Sequence, residues 1–317
     1  MNILITGGMG FIGSHLAEAL IGIGHTVVVV DNLATGRHEN LDALGSSVFK
    51  IEGDIADPRV WDNFLPTLVG FTPEIIIHAA ASYKNPESWA EDAKTNAYGT
   101  ALVAEYAKRH KVKRVIYFQT SLCYGLQPSV QPIPIDYPSN PQGTSYAITK
   151  TTGEQLLFLS GLDVISFRLA NHFGERNLSG PVSTFYKRLS EVKACFVMDT
   201  RRDFVYVSDL VRLVLRAVAG EGNRGAYHVS SGKDFHIGEL YDAVRVCMEL
   251  SPDPNVKVVP RGADDAPTLL IDPSKTYQDF PGWKTEVPLL IGIGRAVNWY
   301  KHFGVTQTYT HLKMEKE

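Results

Sequence analysis

The sequence predicts an α/β protein with a Rossmann-type doubly wound parallel sheet and a smaller C-terminal α/β domain. Through about residue 170, short β-branched and apolar runs alternate with helical patterns, and a glycine-rich turn joins the first run to the first helix. Continuous apolar strands separated by helices are typical of a parallel sheet buried on both faces. The predicted strands cover residues 2–6, 26–31, 48–54, 74–80, 114–120 and 163–169.

Helical patterns between these strands support the doubly wound order, among them FIGSHLAEALIGIG, TNAYGTALVAEYAKRH and SYAITKTTGEQLLFL. After residue 170 the alternation gives way to loops, an amphipathic helix after Asp209, one more strand over 226–231 and irregular C-terminal segments. We therefore predict two domains. The first is a Rossmann domain over 1–170 that also receives about 203–231, and the second is a smaller substrate domain over 171–202 and 232–317.

The composition excludes several classes of protein. The chain has 317 residues, 44% hydrophobic and 21% charged, with a formal net charge of -3. Because there is no basic excess, we expect no binding to nucleic acid or to an anionic membrane. Three scattered cysteines without C-x-x-C spacing predict a reducing compartment, no disulfide framework and no metal site. MNILITGG leads directly into a strand and no apolar run would span a bilayer, so we expect a cytoplasmic protein without a signal peptide.

The first strand, turn and helix have the arrangement of a dinucleotide-binding site. Gly7, Gly10 and Gly13 have the spacing G-x-x-G-x-x-G. Small residues there allow a tight turn, a close approach of pyrophosphate to main-chain N–H groups, and packing of helix on strand. The glycines alone are a weak signal, which a βα turn that binds nothing would also explain, but their place at the strand–helix junction favours a cofactor. No Gly-Lys-Ser/Thr follows, which excludes a kinase-type phosphate loop.

An acidic residue indicates which dinucleotide binds. Asp31 ends the second strand about 20 residues after the glycines, where a carboxylate accepts hydrogen bonds from the adenosine ribose hydroxyls. It would repel a 2′-phosphate, so NAD(H) is favoured over NADP(H), although the nearby Arg37 would suit that phosphate. Asp54 and Ile55 follow the third strand and are placed to meet the adenine; a simple strand-end turn explains them equally well.

A Tyr-x-x-x-Lys pair supplies a candidate base for the oxidation of an alcohol. The pattern occurs twice, at Tyr146/Lys150 and at Tyr309/Lys313. The second pair lies in the polar tail and is interpreted as accidental. Tyr146, in contrast, opens a helical stretch after the strand whose carboxyl end should face the nicotinamide. Residues four apart share a helix face, so Lys150 lies one turn from the phenol.

The chemistry explains why these residue types belong together. Free tyrosine, with a pKa of about 10, is a poor base for a hydroxyl proton at neutral pH. We expect the Lys150 ammonium and the positive nicotinamide ring to lower the pKa of Tyr146; a shift of about 3 units takes roughly 4 kcal/mol. Lys150 is also placed to hold the nicotinamide ribose. Thr120 ends the fifth strand with a hydroxyl that suits the reacting oxygen, although a β-branched residue filling a strand end explains it too.

Eight motifs then occur in a familiar order: TGGMGFIG, DNLATG, HAAA, NAYGT, TSLCYG, YAITK, RLANHFG and RRDFVYVSDL. On these motifs the chain resembles the extended short-chain dehydrogenases/reductases, in particular the UDP-galactose 4-epimerase-like branch of nucleotide-sugar epimerases and dehydratases. The resemblance covers roughly residues 1–300. It implies an NAD-dependent enzyme and a homodimer formed by helices near 96–110 and 146–160, where ALVAEYA and EQLLFL offer apolar faces.

The resemblance also assigns roles to individual residues. Thr120 matches the catalytic Ser/Thr, with Tyr146 and Lys150 as base and partner. The residues implied for the sugar nucleotide are Tyr124, Asn171, Arg202 as a clamp on the pyrophosphate, and Arg261 in PRGADD, where the usual Pro-Gly is altered. The residues implied for the cofactor are Gly7, Gly10, Phe11, Ile12, Gly13, Asp31, Asn32, Asp54, Ile55, Ala79, Ala80, Ala81, the structural asparagine Asn96, Tyr146 and Lys150.

Departures from the family pattern bear on the reaction. Glu175 replaces a usual proline and Gln119 stands where serine is common, and both are expected to flank the sugar pocket. Relatives that eliminate water carry Asp-Glu directly after the catalytic Thr, and uronate decarboxylases carry Glu two residues after it; here Ser121 and Leu122 follow Thr120. The sequence therefore favours 4-epimerisation of a UDP-linked sugar through a 4-keto intermediate. The alternatives are a 4,6-dehydratase, a uronate decarboxylase, a 4-ketoreductase and a non-catalytic NAD-sensing protein.

Overall fold

The computed structural model describes residues 1–65, 70–263 and 265–309. The strands are β1 (Asn2–Thr6), β2 (Thr26–Asp31), β3 (Val48–Glu52), β4 (Ile75–His78), β5 (Arg114–Thr120), β6 (Val164–Leu169), β7 (Asn171–Phe173), β8 (Phe196–Met198), β9 (Arg201–Arg202), β10 (Phe204–Tyr206), β11 (Gly225–Val229), β12 (Phe235–His236), β13 (Lys257–Val259) and β14 (Thr268–Leu269). The α-helices are α1 (Phe11–Gly22), α2 (Trp89–Asp92), α3 (Thr100–Arg109), α4 (Ser145–Leu159), α5 (Pro181–Ser190), α6 (Val207–Val218), α7 (Ile237–Cys247), α8 (Ser274–Asp279) and α9 (Leu289–Phe303). Short 3₁₀ or π-helical turns cover His38–Ser47, Val60–Phe64, Ala93–Gly99 and Ser121–Tyr124.

A seven-stranded parallel sheet forms the centre of the molecule and confirms the predicted fold class. Its strand order is β11-β6-β5-β4-β1-β2-β3, with β1 pairing β2 on one side and β4 on the other. All six predicted N-terminal strands are present. The third ends earlier than predicted, at Glu52, because the Asp54 carboxylate accepts a hydrogen bond from the Ala56 N–H (2.9 Å) and turns the chain.

Helices cover both faces of this sheet. Successive strand residues point to opposite sides, so the apolar run of β1 supplies two cores. Ile3 lies in a buried cluster with Leu213 of α6, while its neighbour Leu4 lies in another with Val103 of α3 and Leu157 of α4. In the described part of the chain, no helix is both long and apolar enough to cross a membrane.

The C-terminal half has its own core and is more regular than the sequence predicted. Phe185 of α5, Tyr241 of α7 and Ile293 of α9 belong to a separate buried cluster, beside short strand pairs. The expectation of irregular C-terminal segments is therefore wrong. Gly292 and Gly294 lower the helical propensity of α9. A Cβ at Gly292 would lie 2.8 Å from the Phe173 ring, so close packing explains why glycine occupies this position.

Part of the C-terminal sequence returns to the central sheet. Strand β11 pairs with β6, and α6 packs against α1. These contacts support the proposed division in which about 203–231 belongs with residues 1–170. The smaller C-terminal core therefore lies beside the carboxyl ends of the central strands, and a cleft separates it from the sheet.

Candidate active site

A cavity of about 690 Å³ occupies this cleft. Most of the predicted site residues lie on its wall: Gly7, Gly10, Phe11, Ile12, Gly13, Asp31, Asn32, Ile55, Ala79, Ala80, Ala81, Thr120, Tyr146, Lys150, Asn171 and Arg202. In open α/β sheets, ligands bind outside the carboxyl ends of the strands. The fold thus brings the predicted dinucleotide and alcohol sites into one continuous space.

Four predicted site residues do not line the cavity. Asp54 binds the Ala56 N–H and the Lys94 ammonium (2.6 Å). Asn96 is buried, where its amide accepts from the N–H of Ser82 and donates to the Ser82 carbonyl, so its role is structural. Arg261 is exposed outside the cavity wall.

Tyr124 is the fourth, and its expected contact with the substrate is corrected by the structure. The side chain is buried, and its hydroxyl lies 2.5 Å from His228 Nε2 and accepts from the Arg168 guanidinium at 2.6 Å. His228 Nδ1 lies 2.8 Å from the Asp272 carbonyl. With the proton on Nδ1, His228 Nε2 accepts a hydrogen bond from the Tyr124 phenol. Tyr124 therefore bonds to Arg168 of β6 and His228 of β11 and does not line the cavity.

The glycine turn is closely packed and forms a cradle of main-chain groups on the cavity wall. Gly7 has φ +67°, and a Cβ there would lie 2.6 Å from the Ala80 nitrogen. A Cβ at Gly13 would collide with the Gly7 carbonyl oxygen, so the helix start and the turn are in direct contact. Helix α1 begins with Gly10 as its N-cap and without a side-chain cap, leaving its first N–H groups directed at the cavity. These features fit a dinucleotide pyrophosphate.

Asp31 stands at the edge of this cradle. Its carboxylate accepts from the N–H groups of Met9 (2.9 Å) and Leu33 (2.8 Å), and burial raises its pKa. Each oxygen retains a lone pair for a ribose hydroxyl. The Arg37 guanidinium, which left NADP(H) open in the sequence, donates to the hydroxyl of Thr306 at 3.0 Å.

Helix α4 positions Tyr146 and Lys150. Thr144 caps the helix by accepting from the Ala147 N–H at 3.1 Å, which fixes Tyr146 in its first turn. Lys150, one turn later, is 2% exposed, and its nitrogen lies 4.0 Å from the centre of the Tyr117 ring. Burial lowers the Lys150 pKa to about 7, against the opposing effect of Glu154. The amine therefore gains and loses a proton near neutral pH.

The electrostatics of Tyr146 differ from the sequence prediction. Burial raises the pKa of the phenol, and Tyr83 and Asp92 act in the same direction. The Tyr83 ring stands edge-on to Tyr146, with centroids 6.4 Å apart. The expected lowering by Lys150 is therefore absent from the protein's own charges, because desolvation of the phenolate dominates.

Thr120 lies at the end of β5, on the cavity wall. Its hydroxyl oxygen accepts from the Leu122 N–H (3.2 Å) and caps the short turn that follows the strand. The Thr120 N–H donates to the side-chain oxygen of Gln119 (2.8 Å). That turn carries Ser121 and Leu122, which also line the cavity.

Arg202 lines the cavity and forms a buried ion pair with Asp265, and its guanidinium also donates to the Arg201 carbonyl at 2.6 Å. Burial lowers the Arg202 pKa. Asn171 lies nearby, donating from its amide to the Asp203 carbonyl at 3.3 Å. The sequence did not anticipate Asp265 as the partner, because nothing in the spacing of 63 residues links the two.

Two further residues of the cavity wall, His172 and Gln119, have a buried nitrogen without a partner among the described residues, and Gln119 was expected at the sugar pocket. His172 Nδ1 lies 3.0 Å from the Ala170 carbonyl, and His172 Nε2 is buried without a hydrogen-bond partner in the described chain. Burial lowers the His172 pKa to about 4, so the ring is neutral at pH 7. The side-chain nitrogen of Gln119 is likewise buried without a partner. Glu175, in contrast, is absent from the cavity wall and accepts from the Tyr206 hydroxyl at 2.6 Å, so its expected place in the sugar pocket is wrong.

The acidic groups of the cavity are all bonded within the chain. Over the described residues the carboxylates that line it are Asp31, Glu91, Glu191 and Asp265. Glu91 accepts from the Thr95 hydroxyl at 3.3 Å, and Glu191 accepts from Lys187 at 2.5 Å. The residues that the structure describes contain no cluster of three or more His, Cys, Asp or Glu able to hold a metal ion.

Comparison with known proteins decides the family. The sequence model of the NAD dependent epimerase/dehydratase family matches residues 3–238. The chain belongs to this family. The resemblance to extended short-chain dehydrogenases/reductases is thereby confirmed, and NAD is the cofactor.

Relatives of this epimerase/dehydratase family member catalyse more than one reaction. The Bordetella bronchiseptica enzyme WbmH, solved in complex with NAD⁺, is 47% identical over 96% of this chain and 100% of its own, with a TM-score of 0.90. A UDP-glucose 4-epimerase of Mycolicibacterium smegmatis is 31% identical over 95% of this chain and 99% of its own. A UDP-N-acetyl-alpha-D-glucosaminuronate decarboxylase of Bacillus cytotoxicus is 30% identical over 94% of this chain and 97% of its own. The family therefore establishes an NAD-dependent enzyme and leaves the reaction to the residues of the site.

Proposed function

We propose that this enzyme is a 4-epimerase of a UDP-linked sugar. The observation that carries the proposal is the pair of residues after Thr120. Ser121 and Leu122 line the cavity there, and neither is an acid or base near neutral pH. Elimination or decarboxylation needs a group that protonates or deprotonates carbon, whereas oxidation and re-reduction at C4 need only a base for the hydroxyl.

The remaining acid–base groups of the cavity support the same reaction. His172 is neutral at pH 7 and, with Nδ1 directed at a carbonyl, offers only an acceptor from Nε2. Glu175 is held by Tyr206. Asp265 and Glu191 are paired with cations. An acid for a leaving hydroxyl would have to come from a carboxylate such as Glu91, which lies on α2 and outside the turn that follows Thr120.

Tyr146 is the proposed base. Bound NAD would supply the hydride acceptor and donor for C4 of the sugar. Tyr146 takes the 4-hydroxyl proton in the first half of the reaction and gives it back in the second. Its buried phenolate needs positive charge, since the protein alone raises the pKa. Lys150, with a pKa of about 7, supplies an ammonium or relays the proton, and Thr120 donates a hydrogen bond to the reacting oxygen.

Arg202 and Asn171 are the proposed contacts of the nucleotide. Arg202 is buried and cationic, and its guanidinium retains donors beyond those used by Asp265 and the Arg201 carbonyl. A diphosphate is the natural partner of a desolvated guanidinium. The names of the Mycolicibacterium and Bacillus relatives support a UDP-linked sugar.

A panel of nucleotide sugars tests the proposal. Purified enzyme is mixed with UDP- and dTDP-linked hexoses, and ¹H NMR follows the anomeric and H4 signals. We expect a UDP-hexose to convert to its C4 epimer without added nucleotide. Formation of a 4-keto-6-deoxy sugar, or of a pentose, would instead identify a dehydratase or a decarboxylase. Bound NAD with no turnover of any member would favour a non-catalytic NAD-sensing protein.

We also propose a homodimer formed by the helices around α3 and α4. The apolar side chains proposed for its interface differ from those that the sequence suggested. The apolar residues of ALVAEYA and EQLLFL are largely used inside the chain, since Val103, Ala107 and Leu157 belong to its own core. The outward apolar side chains of α4 are Ile148 (49% exposed) and Leu159 (83% exposed). Light scattering of Leu159→Glu against the unchanged protein tests whether this face joins two copies.

A further inference from the structure

The last described residues, 305–309, cross the mouth of the cavity and bind both of its sides. We call this segment the strap. On the side of the C-terminal core, the Tyr309 N–H donates to the Leu178 carbonyl at 2.9 Å. The Tyr309 carbonyl accepts from the Ser179 hydroxyl at 3.2 Å, and the Lys187 ammonium donates to the Val305 carbonyl at 3.3 Å.

On the opposite side the strap contacts loops of the central sheet. The Thr306 hydroxyl accepts from the Arg37 guanidinium at 3.0 Å. The Lys84 nitrogen lies 5.4 Å from the centre of the Tyr309 ring and also donates to the Ala34 carbonyl at 3.3 Å. Arg37 and Ala34 belong to the loop after Asp31, so these contacts fall at the adenosine side of the dinucleotide cradle.

The strap itself forms part of the cavity wall. Thr308 and Tyr309 both line the cavity, together with Tyr83 and Lys84. Tyr309 is partly buried, unlike a residue of a loose tail. Lys313 lies outside the described residues, so the interpretation of the Tyr309/Lys313 motif match as accidental stays a prediction, while Tyr309 itself lines the cavity.

We propose that Tyr309 is a cofactor-site residue and that the strap retains bound NAD. A dinucleotide seated against Gly7 and Asp31 leaves the cleft past the loops at 34–37 and 83–84, and the strap bridges these loops to residues 178–187. Release of the cofactor then requires these contacts to break first, so the strap slows dissociation. The inference rests on NAD as cofactor and is independent of the reaction catalysed.

The rate of cofactor release tests it. Holoenzyme loaded with radiolabelled NAD⁺ is diluted into excess unlabelled NAD⁺, and retained label is followed by filtration. Tyr309→Ala is expected to raise the dissociation rate constant at least tenfold, and Tyr309→Phe to stay within about twofold because the ring remains. Tyr277→Ala is the matched control, because Tyr277 packs on Trp283 and does not line the cavity.

A second variant separates loss of retention from loss of structure. Thr306 does not line the cavity, so Thr306→Val removes its bond to Arg37 without touching the ligand. We expect it to speed release several-fold, with the far-UV circular dichroism and melting temperature of the nucleotide-free protein unchanged. Dissociation rates of Tyr309→Ala and Thr306→Val within twofold of the unchanged enzyme would overturn the proposal. Activity on sugars does not enter this measurement, so failure of the proposed 4-epimerisation would leave it standing.

Discussion

The Lys150 nitrogen lies 4.0 Å from the centre of the Tyr117 ring, one helical turn beyond the candidate base Tyr146. The ring face gives the ammonium partial compensation for the water that it loses. Burial nevertheless lowers the Lys150 pKa to about 7. At neutral pH a buried Lys150 ammonium therefore lowers the free energy of unfolding. It lies one helical turn from Tyr146, whose phenolate needs positive charge.

This arrangement predicts opposite effects of Lys150→Met on activity and on stability. Turnover should be lost, while the nucleotide-free protein at pH 6 should gain on the order of 2–4 kcal/mol in free energy of unfolding. Below pH 7 the folded and unfolded chains both bind the lysine proton, so the cost is fully present. Between pH 7 and about 10 the unfolded chain binds more protons, and the unchanged protein becomes more stable as pH rises.

Urea unfolding of Lys150→Met and of the unchanged protein at pH 6, 8 and 10 measures the difference in their free energies of unfolding. This difference should shrink steadily as pH rises. Lys108→Met, at an exposed position of α3, is the control and should show a small effect at every pH. A gain at Lys150 that does not fall between pH 6 and pH 10 would show that no buried ammonium is being charged.

Tyr146→Phe should reduce turnover by about 10²–10⁴-fold and leave NAD binding and the fold intact, because the change removes the proton-transfer group and little volume. Steady-state rates and bound nucleotide are measured in the same preparation. Tyr98→Phe is the control, since Tyr98 is 49% exposed and lies away from the cavity wall. Equal losses of turnover in the two variants would show that Tyr146 is not the catalytic base.

Arg202→Ala should weaken binding of free UDP by about 2–4 kcal/mol. The change removes a desolvated cation and leaves the buried carboxylate of Asp265 unpaired beside the diphosphate. Arg201→Ala is a matched control one residue away, because the Arg201 side chain is 46% exposed and pairs with Asp234. Titration calorimetry compares the two, and an unchanged affinity in Arg202→Ala would reduce that residue to a structural ion pair.

The sequence predicted best what depends on local periodicity and turn chemistry. The strands of the central sheet, the glycine turn and helix α4 were predicted from apolar runs, from the spacing of Gly7, Gly10 and Gly13, and from a helical pattern. Their chain order places Asp31, Thr120 and Tyr146 at the carboxyl ends of the parallel strands. Most of the cavity wall could therefore be predicted as well.

What the sequence did not predict depends on contacts between distant segments. Asp265 meets Arg202 across 63 residues, and Tyr124 binds His228 across 104, and neither pairing leaves a local pattern. Glu175 was placed by its motif but is directed to Tyr206 by packing. The raised pKa of Tyr146 likewise comes from burial, which spacing alone cannot reveal.

In the proposed 4-epimerisation, hydride leaves C4 of the sugar and returns to C4 without any carbon exchanging protons with water. Elimination or decarboxylation must protonate carbon from groups that equilibrate with solvent. The residues after Thr120 offer no such group, and the neutral His172 ring is a poor acid. Isotopic content of the product therefore distinguishes the reactions directly.

The measurement is mass spectrometry of the sugar product after turnover in D₂O and return to H₂O, with a parallel reaction in H₂O as control. We expect an epimer of unchanged mass with no deuterium on carbon. A product one mass unit heavier, or one that has lost water or carbon dioxide, would contradict 4-epimerisation. It would direct attention to Glu91 and His172, which both line the cavity.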